Sequence, residues 1–195
     1  MAKGPKGFTE DDKIELRQRL CAACEQSWAT HGYKKTTVGE LSKSIGIATG
    51  SFYLLFASKE ELFYETLIRI QDRLRETWQS NLAHNPSKNG FQQNMMWLYG
   101  EYYQYPFLYD FTNPDFMSLL NRFTPEQKAT LQTDSLSFFA YTVETAGLKL
   151  KIQKQKAFAV LGTLLYTVSF KKNTEYNHFE VFEFLLESAI QNIFE

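Results

Sequence analysis

Residues 36–62 read TTVGELSKSIGIATGSFYLLFASKEEL, and the fold is decided here. Thr37-Val-Gly-Glu40 is a capping box, a hydroxyl followed three residues later by a carboxylate, and it opens a short helix ending near Ser44. Gly46 supplies a tight turn, and a second short helix runs from about Ala48 to Leu55. Ser58-Lys-Glu-Glu61 is another capping box, opening a long helix with Leu62, Phe63, Leu67, Ile70, Leu74 and Trp78 on its apolar side. Two helices joined by a short turn containing glycine form a helix-turn-helix. Its second helix offers its N-terminal half to the DNA major groove while the first crosses the phosphate backbone.

Outward from this stretch the periodicity is helical almost everywhere. Upstream, Thr9 caps a helix from about Glu10 to Thr30, with Leu16, Leu20, Cys24 and Trp28 on its apolar side and Gly32 beyond its end. Downstream, Asn85-Pro-Ser-Lys-Asn-Gly90 is a breaker, and a helix from about Phe91 to Gln104 is ended by Pro106. Asn113-Pro114 and Thr124-Pro125 are cap-plus-proline starts, the latter opening a helix to about Ala146. Two final helices, about Ile152–Lys171 and Asn177–Phe194, are joined by Lys172-Asn-Thr-Glu175. The expectation is an all-α chain of about nine helices. Residues 1–57 form a small module that carries the helix-turn-helix and residues 58–195 a larger helical one, with the helix from Ser58 bridging the two.

Composition excludes several classes. The 195 residues include 21 basic and 22 acidic side chains, net charge -1, so there is no uniformly basic nucleic-acid coat. Residues 1–60 nevertheless carry nine basic and seven acidic side chains, placing any anion-binding surface at that end. No signal-peptide pattern opens the sequence, and the uncharged apolar run Ala157 to Phe170 is too short to span a bilayer. The cytoplasm is the expected compartment, with no membrane association. Cys21 and Cys24 share a helix interior where nothing lowers a thiol pKa, so they read as core packing rather than redox chemistry. His31, His84 and His178 are scattered, and neither a metal-ligand spacing nor a Ser/His/Asp set is present. No enzyme, cofactor or metal site is expected.

The order of residues over Leu20–Leu62 is similar to the DNA-binding domain of the tetracycline-repressor (TetR) family of bacterial transcriptional regulators. The resemblance rests on Ala23, Trp28, Gly32-Tyr33, Thr36-Thr37-Val38, Leu41, Gly46-Ile47, Gly50-Ser51-Phe52-Tyr53, Phe56, Ser58-Lys59-Glu60 and Leu62. It implies that Thr37 caps its helix and touches phosphate, and that Tyr53 and Lys59 also contact phosphate. Thr49, Gly50 and Ser51 are small or hydroxylated, which lets backbone approach DNA and hydroxyls donate to it, while Lys34, Lys35 and Lys59 bracket the unit with cations. The expected DNA-binding set is therefore Lys35, Thr36, Thr37, Thr49, Gly50, Ser51, Tyr53 and Lys59. Four positions depart from the pattern: Ala48 replaces a usual Ser cap, Ser42 a usual Ala, and Leu54-Leu55 a more polar pair. Leu54 meets a thymine methyl or packs inward. Lys3 and Lys6 read as a solvated terminus rather than a minor-groove arm.

Beyond residue 70 the resemblance implies only a helical ligand-binding and dimerisation domain, and the aromatics take over the argument. Trp97 to Phe116 holds nine aromatic residues; Phe91, Met95, Leu98 and Tyr102 share one helix face, and Met96, Tyr99 and Tyr103 an adjacent one. Tyr99, Tyr102, Tyr103, Phe116, Phe139 and Tyr166 are the expected ligand-binding residues, with Glu101 and Glu144 as candidate partners for a cation. The last two helices are apolar nearly all round, so a two-fold helix-bundle interface through Phe158, Leu161, Phe182, Leu186 and Ile190 is expected. The reading is a homodimeric, ligand-responsive repressor of a near-palindromic double-stranded operator, released by a small lipophilic, aromatic or cationic inducer. The alternative is a small-molecule-binding helical dimer that has lost DNA binding or acts by protein contact.

Overall fold

A computed structural model of the chain describes residues 8–109, 112–170 and 176–195. Lys3, Lys6, Phe111 and the Lys172–Glu175 connection lie outside the described residues. Among those described, ten α-helices account for most of the chain, and the only strand-like pairing is an isolated bridge between Leu150 and Phe194. The chain divides into two compact units that part between Ile70 and Gln71, inside the fourth helix.

In the first unit, α1 (Glu10–Lys35) starts at the expected Thr9 cap, where Asp12 completes the capping box. Gly32, at φ 80°, breaks its helical path, a left-handed conformation that glycine adopts without steric cost. α2 (Val38–Ser44) and α3 (Thr49–Phe52) follow, the turn between them passing through Gly46 at φ 78°. The second helix of the pair is thus a single turn, shorter than the span from Ala48 to Leu55 read from the sequence. Ala48 offers no capping hydroxyl, and after Phe52 the chain closes three-residue bonds, Leu54 N–H to the Ser51 carbonyl and Leu55 N–H to the Phe52 carbonyl. The freed Leu55 carbonyl accepts from the Arg17 guanidinium, which also binds the Glu65 carboxylate and lies 4.0 Å over the Phe56 ring. α4 (Lys59–His84) begins where Ser58 accepts from the Glu61 N–H. Leu20, Cys24, Trp28, Phe52, Phe56, Leu62 and Phe63 form a sealed core, with Trp28 and Tyr33 both ring-packed on Phe63. Burial pushes the Cys21 thiol up to about 11 and the Cys24 thiol up to about 12, so both behave as small hydrophobes.

In the second unit, α5 (Lys88–Gln104) is capped by Ser87, and Pro106 opens the one-turn α6 (Pro106–Tyr109). Asn113 caps α7 (Pro114–Leu120), and Thr124 with Gln127 forms a full capping box on α8 (Pro125–Thr145). α9 (Lys154–Tyr166) tightens into a 3-10 turn, Thr167–Phe170, so the helix expected to reach Lys171 ends earlier. α10 (His178–Ile193) is capped by Asn177. The chain end is strapped to the α8–α9 connection by Lys151 N–H to the Ile193 carbonyl and Glu195 N–H to the Lys149 carbonyl. The inner stripe of α10, Phe182, Leu186, Ile190 and Ile193, packs into the core, where Phe182 stacks on Tyr99 at 3.9 Å.

Of the residues expected at a dimer face, Leu161, Phe182, Leu186 and Ile190 are buried within this chain, and Phe158 is half-buried. The apolar residues that α10 leaves to solvent are Val181, Phe184 and Leu185. The doubly apolar character of the helix was legible, but which side faces inward is set by packing against α5 and α9.

Candidate functional site

The exposed side of the first unit carries most of the expected DNA-binding residues. Thr37 caps α2 by accepting from the Glu40 N–H, and its hydroxyl donates to the Glu40 carboxylate at 2.7 Å. Thr49 and Gly50 are exposed, and Ser51 is half-buried. A Cβ placed at Gly50, or at Gly39 on α2, would meet nothing within 4 Å. Packing of this chain therefore does not require either glycine, and bare backbone faces outward. Tyr53 is 58% exposed with its ring edge-on to Phe52, and Leu54, at 66%, points outward rather than into the core. Lys35 is exposed in the last turn of α1.

Two expected contacts are placed differently. Thr36 is fully buried; its hydroxyl donates to the Gly32 carbonyl and pairs with Ser27 Oγ, so it holds the end of α1 and cannot reach phosphate. Lys59 is half-buried, its ammonium donating to the Tyr33 carbonyl at 2.6 Å and lying 4.1 Å over the Tyr33 ring. Lys59 thus ties the start of α4 to the end of α1. Ser42 is buried with its hydroxyl unpaired, which is what a small apolar residue there would avoid.

In the second unit four helices surround a cavity of about 240 Å³. Each contributes one face at helical spacing: Gln71, Leu74, Arg75 and Trp78 from α4; Phe91, Met95, Leu98 and Tyr102 from α5; Ser135, Phe138, Phe139 and Thr142 from α8; Phe158, Leu161, Leu165 and Tyr166 from α9. Of the expected ligand residues, Tyr102, Phe139 and Tyr166 line it. The other three do not: Tyr99 is stacked on Phe182 and edge-on to Phe179, Tyr103 is partly exposed against Phe179, and Phe116 is buried on α7. The α5 face carrying Phe91, Met95, Leu98 and Tyr102 turns to the cavity, and the adjacent face of Tyr99 and Tyr103 packs on α10.

Neither Glu101 nor Glu144 lines the cavity, so the expectation of a bound cation loses its anionic partner. The charged group in the wall is Arg75, 3.3 Å from Asp72 and 5.8 Å over the Phe138 ring. Trp78 Nε1, Thr142 Oγ1 and Gln71 Oε1 are buried wall atoms with no hydrogen-bond partner. Sequence reading missed this polar set, whose signal was Gln71, Arg75 and Trp78 recurring at four- and three-residue steps beside Leu74 on an otherwise apolar stripe. Burial pushes the Tyr102 and Tyr166 phenols above the usual range, which keeps them neutral. Among the described residues no group of His, Cys, Asp and Glu is placed to hold a metal, and no helix is long and apolar enough to cross a membrane.

Residues 20–66 match the family described as bacterial regulatory proteins, tetR family. An uncharacterised HTH-type transcriptional regulator, YdgC, from Bacillus subtilis is 35% identical over 72 residues, 37% of each chain. A probable acrEF/envCD operon repressor from Escherichia coli is 31% identical over 85 residues, 44% of this chain and 38% of the repressor. The matched stretch therefore spans less than half the length of these relatives. A TetR family transcription regulator from Marinobacter aquaeolei VT8 shares the fold, with TM-score 0.65 and 17% identity over 96% of this chain and 100% of that one.

Proposed function

We propose that this chain, a TetR-family transcriptional regulator, is a ligand-responsive repressor that binds a near-palindromic operator as a homodimer. The observation that carries the reading is the outward surface from Thr37 through Thr49, Gly50, Ser51 and Tyr53, exposed in a helix-turn-helix whose glycine no internal packing requires. α3 enters the major groove, Thr37, Tyr53 and Lys35 meet phosphate, and Leu54 meets an apolar base edge such as a thymine methyl. A gel shift against the DNA flanking its own gene, repeated over a salt series, tests this. Sequence-specific binding with a steep salt slope is expected, and no shift on any flanking fragment overturns it.

A second copy covers the outer face of α10, where Val181, Phe184 and Leu185 recur at helical spacing and Phe184 is 69% exposed. Phe184→Glu is expected to give monomers by light scattering at micromolar concentration; a monomeric wild type ends the dimer reading. The four-helix cavity takes a small lipophilic inducer. Gln71, Leu74, Arg75 and Trp78 lie on the same helix that starts at Lys59, so an inducer that binds one α4 arrangement better shifts the population toward it. Linkage makes the effect reciprocal: operator weakens inducer binding by the factor by which inducer weakens operator binding.

A further inference from the structure

We propose that the cavity between α4, α5, α8 and α9 takes a lipophilic carboxylate of about ten non-hydrogen atoms, its head on Arg75 and its apolar body among the rings of α5, α8 and α9; this rests on the cavity being the inducer site. Charge gives the first argument. Arg75 is the ionic group among the lining residues and no carboxylate lines the space, so the wall presents a positive group and no negative one. Its partner Asp72 sits on the same helix, more exposed than Arg75, and a pair of that kind is weak enough to yield to a ligand. A guanidinium presents a planar fork of donors that matches a carboxylate.

The second argument is the unpaired donors. Trp78 and Thr142 line the cavity and are both more than nine-tenths buried, and the indole N–H and the hydroxyl, packed within the wall, have no partner. An unpaired buried donor is costly, and a ligand oxygen relieves it once the side chain turns toward the cavity. A carboxylate has about four lone-pair sites, enough to accept from the guanidinium and from a neutral donor together. The lining is otherwise Leu74, Phe91, Met95, Phe138, Phe139 and their neighbours, which suits hydrocarbon or a ring. At about 30 Å³ per water-sized group, 240 Å³ holds about eight such groups, enough for a chain or ring of about eight carbons whose carboxylate head reaches Arg75.

The experiment is calorimetric titration of the full chain with octanoate, octanol and octylamine, with 4-ethylbenzoate as the aryl arm. Octanoate is expected to bind at least tenfold more tightly than octanol, and octylamine more weakly than either. Arg75→Gln should lower octanoate affinity far more than octanol affinity, removing the octanoate advantage, and Arg75→Lys should restore part of it. The ratio of octanoate to 4-ethylbenzoate affinity tells a straight-chain from an aryl source. Equal affinity for octanoate and octanol, or tightest binding of octylamine, overturns the carboxylate assignment and leaves the cavity as a lipophilic site. No binding of any of the four probes overturns the inducer-site reading itself.

Discussion

The two halves of α4 have the same periodicity and opposite surroundings. Before Ile70, its inner side is Leu62, Phe63, Thr66, Leu67 and Ile70, all buried, and the Thr66 hydroxyl donates to the Leu62 carbonyl one turn back. After Ile70, its inner side is Gln71, Leu74, Arg75 and Trp78, facing a space and holding two polar atoms without partners. A sealed stripe serves stability, whereas a stripe that leaves one acceptor and one donor unpaired beside a void does not. The contrast separates a core from the wall of a cavity on a single helix.

The sharpest way to break that comparison is to truncate one residue on each half. Phe63→Ala, which removes a fully buried ring packed on Trp28 and Tyr33, is expected to cost about 3–5 kcal/mol in urea unfolding. Leu74→Ala, half-buried at the cavity wall, should cost about 1 kcal/mol, because little packing is lost beside existing space. Equal costs would mean that the second half is core as well.

A second pair tests the DNA-facing side. Lys59→Ala should weaken non-specific DNA binding, reduce the salt slope by about one unit per half-site, and also lower the melting temperature. It releases the Tyr33 carbonyl and a cation–π contact, together worth about 1–2 kcal/mol. Tyr53→Phe should weaken operator binding several-fold with no change in melting, since its ring is more than half exposed. A Lys59→Ala protein that melts like the wild type would place the ammonium on DNA alone.

The smallest effects compare two unpaired hydroxyls. Ser42→Ala and Thr142→Val each remove a buried hydroxyl without a partner, and each is expected to raise stability by about 0.5–1 kcal/mol in ligand-free protein. Only Thr142→Val should lower octanoate affinity, because Ser42 lies in the first unit away from any cavity wall. If both variants bind octanoate like the wild type, the Thr142 hydroxyl takes no part in the site.

The helix-turn-helix was legible because its signals are local. Caps at Thr9, Thr37 and Ser58, glycines at 32 and 46, and the order of small and aromatic residues between them all act within a few positions along the chain. Of the two contacts placed differently, Thr36 differs from its exposed neighbour Thr37 in which way the chain turns after Gly32. The cavity was legible only as faces. Phe91, Met95, Leu98 and Tyr102 were grouped by helical spacing, and that grouping held, yet spacing does not say which of two aromatic faces meets a void and which meets α10.

By itself, then, the sequence determined the all-α class, most helix boundaries, the helix-turn-helix and the burial of Cys21 and Cys24, because capping, periodicity and turn chemistry are short-range. Tertiary structure alone decided that Tyr99 is core and Tyr102 is wall, that Phe182 faces inward and Phe184 outward, and that Arg75 rather than a glutamate supplies the charge of the cavity. Those outcomes depend on how residues from four helices, far apart in the chain, come to share one volume. Side chains of equal hydrophobicity on adjacent faces become distinguishable only when their neighbours are in place.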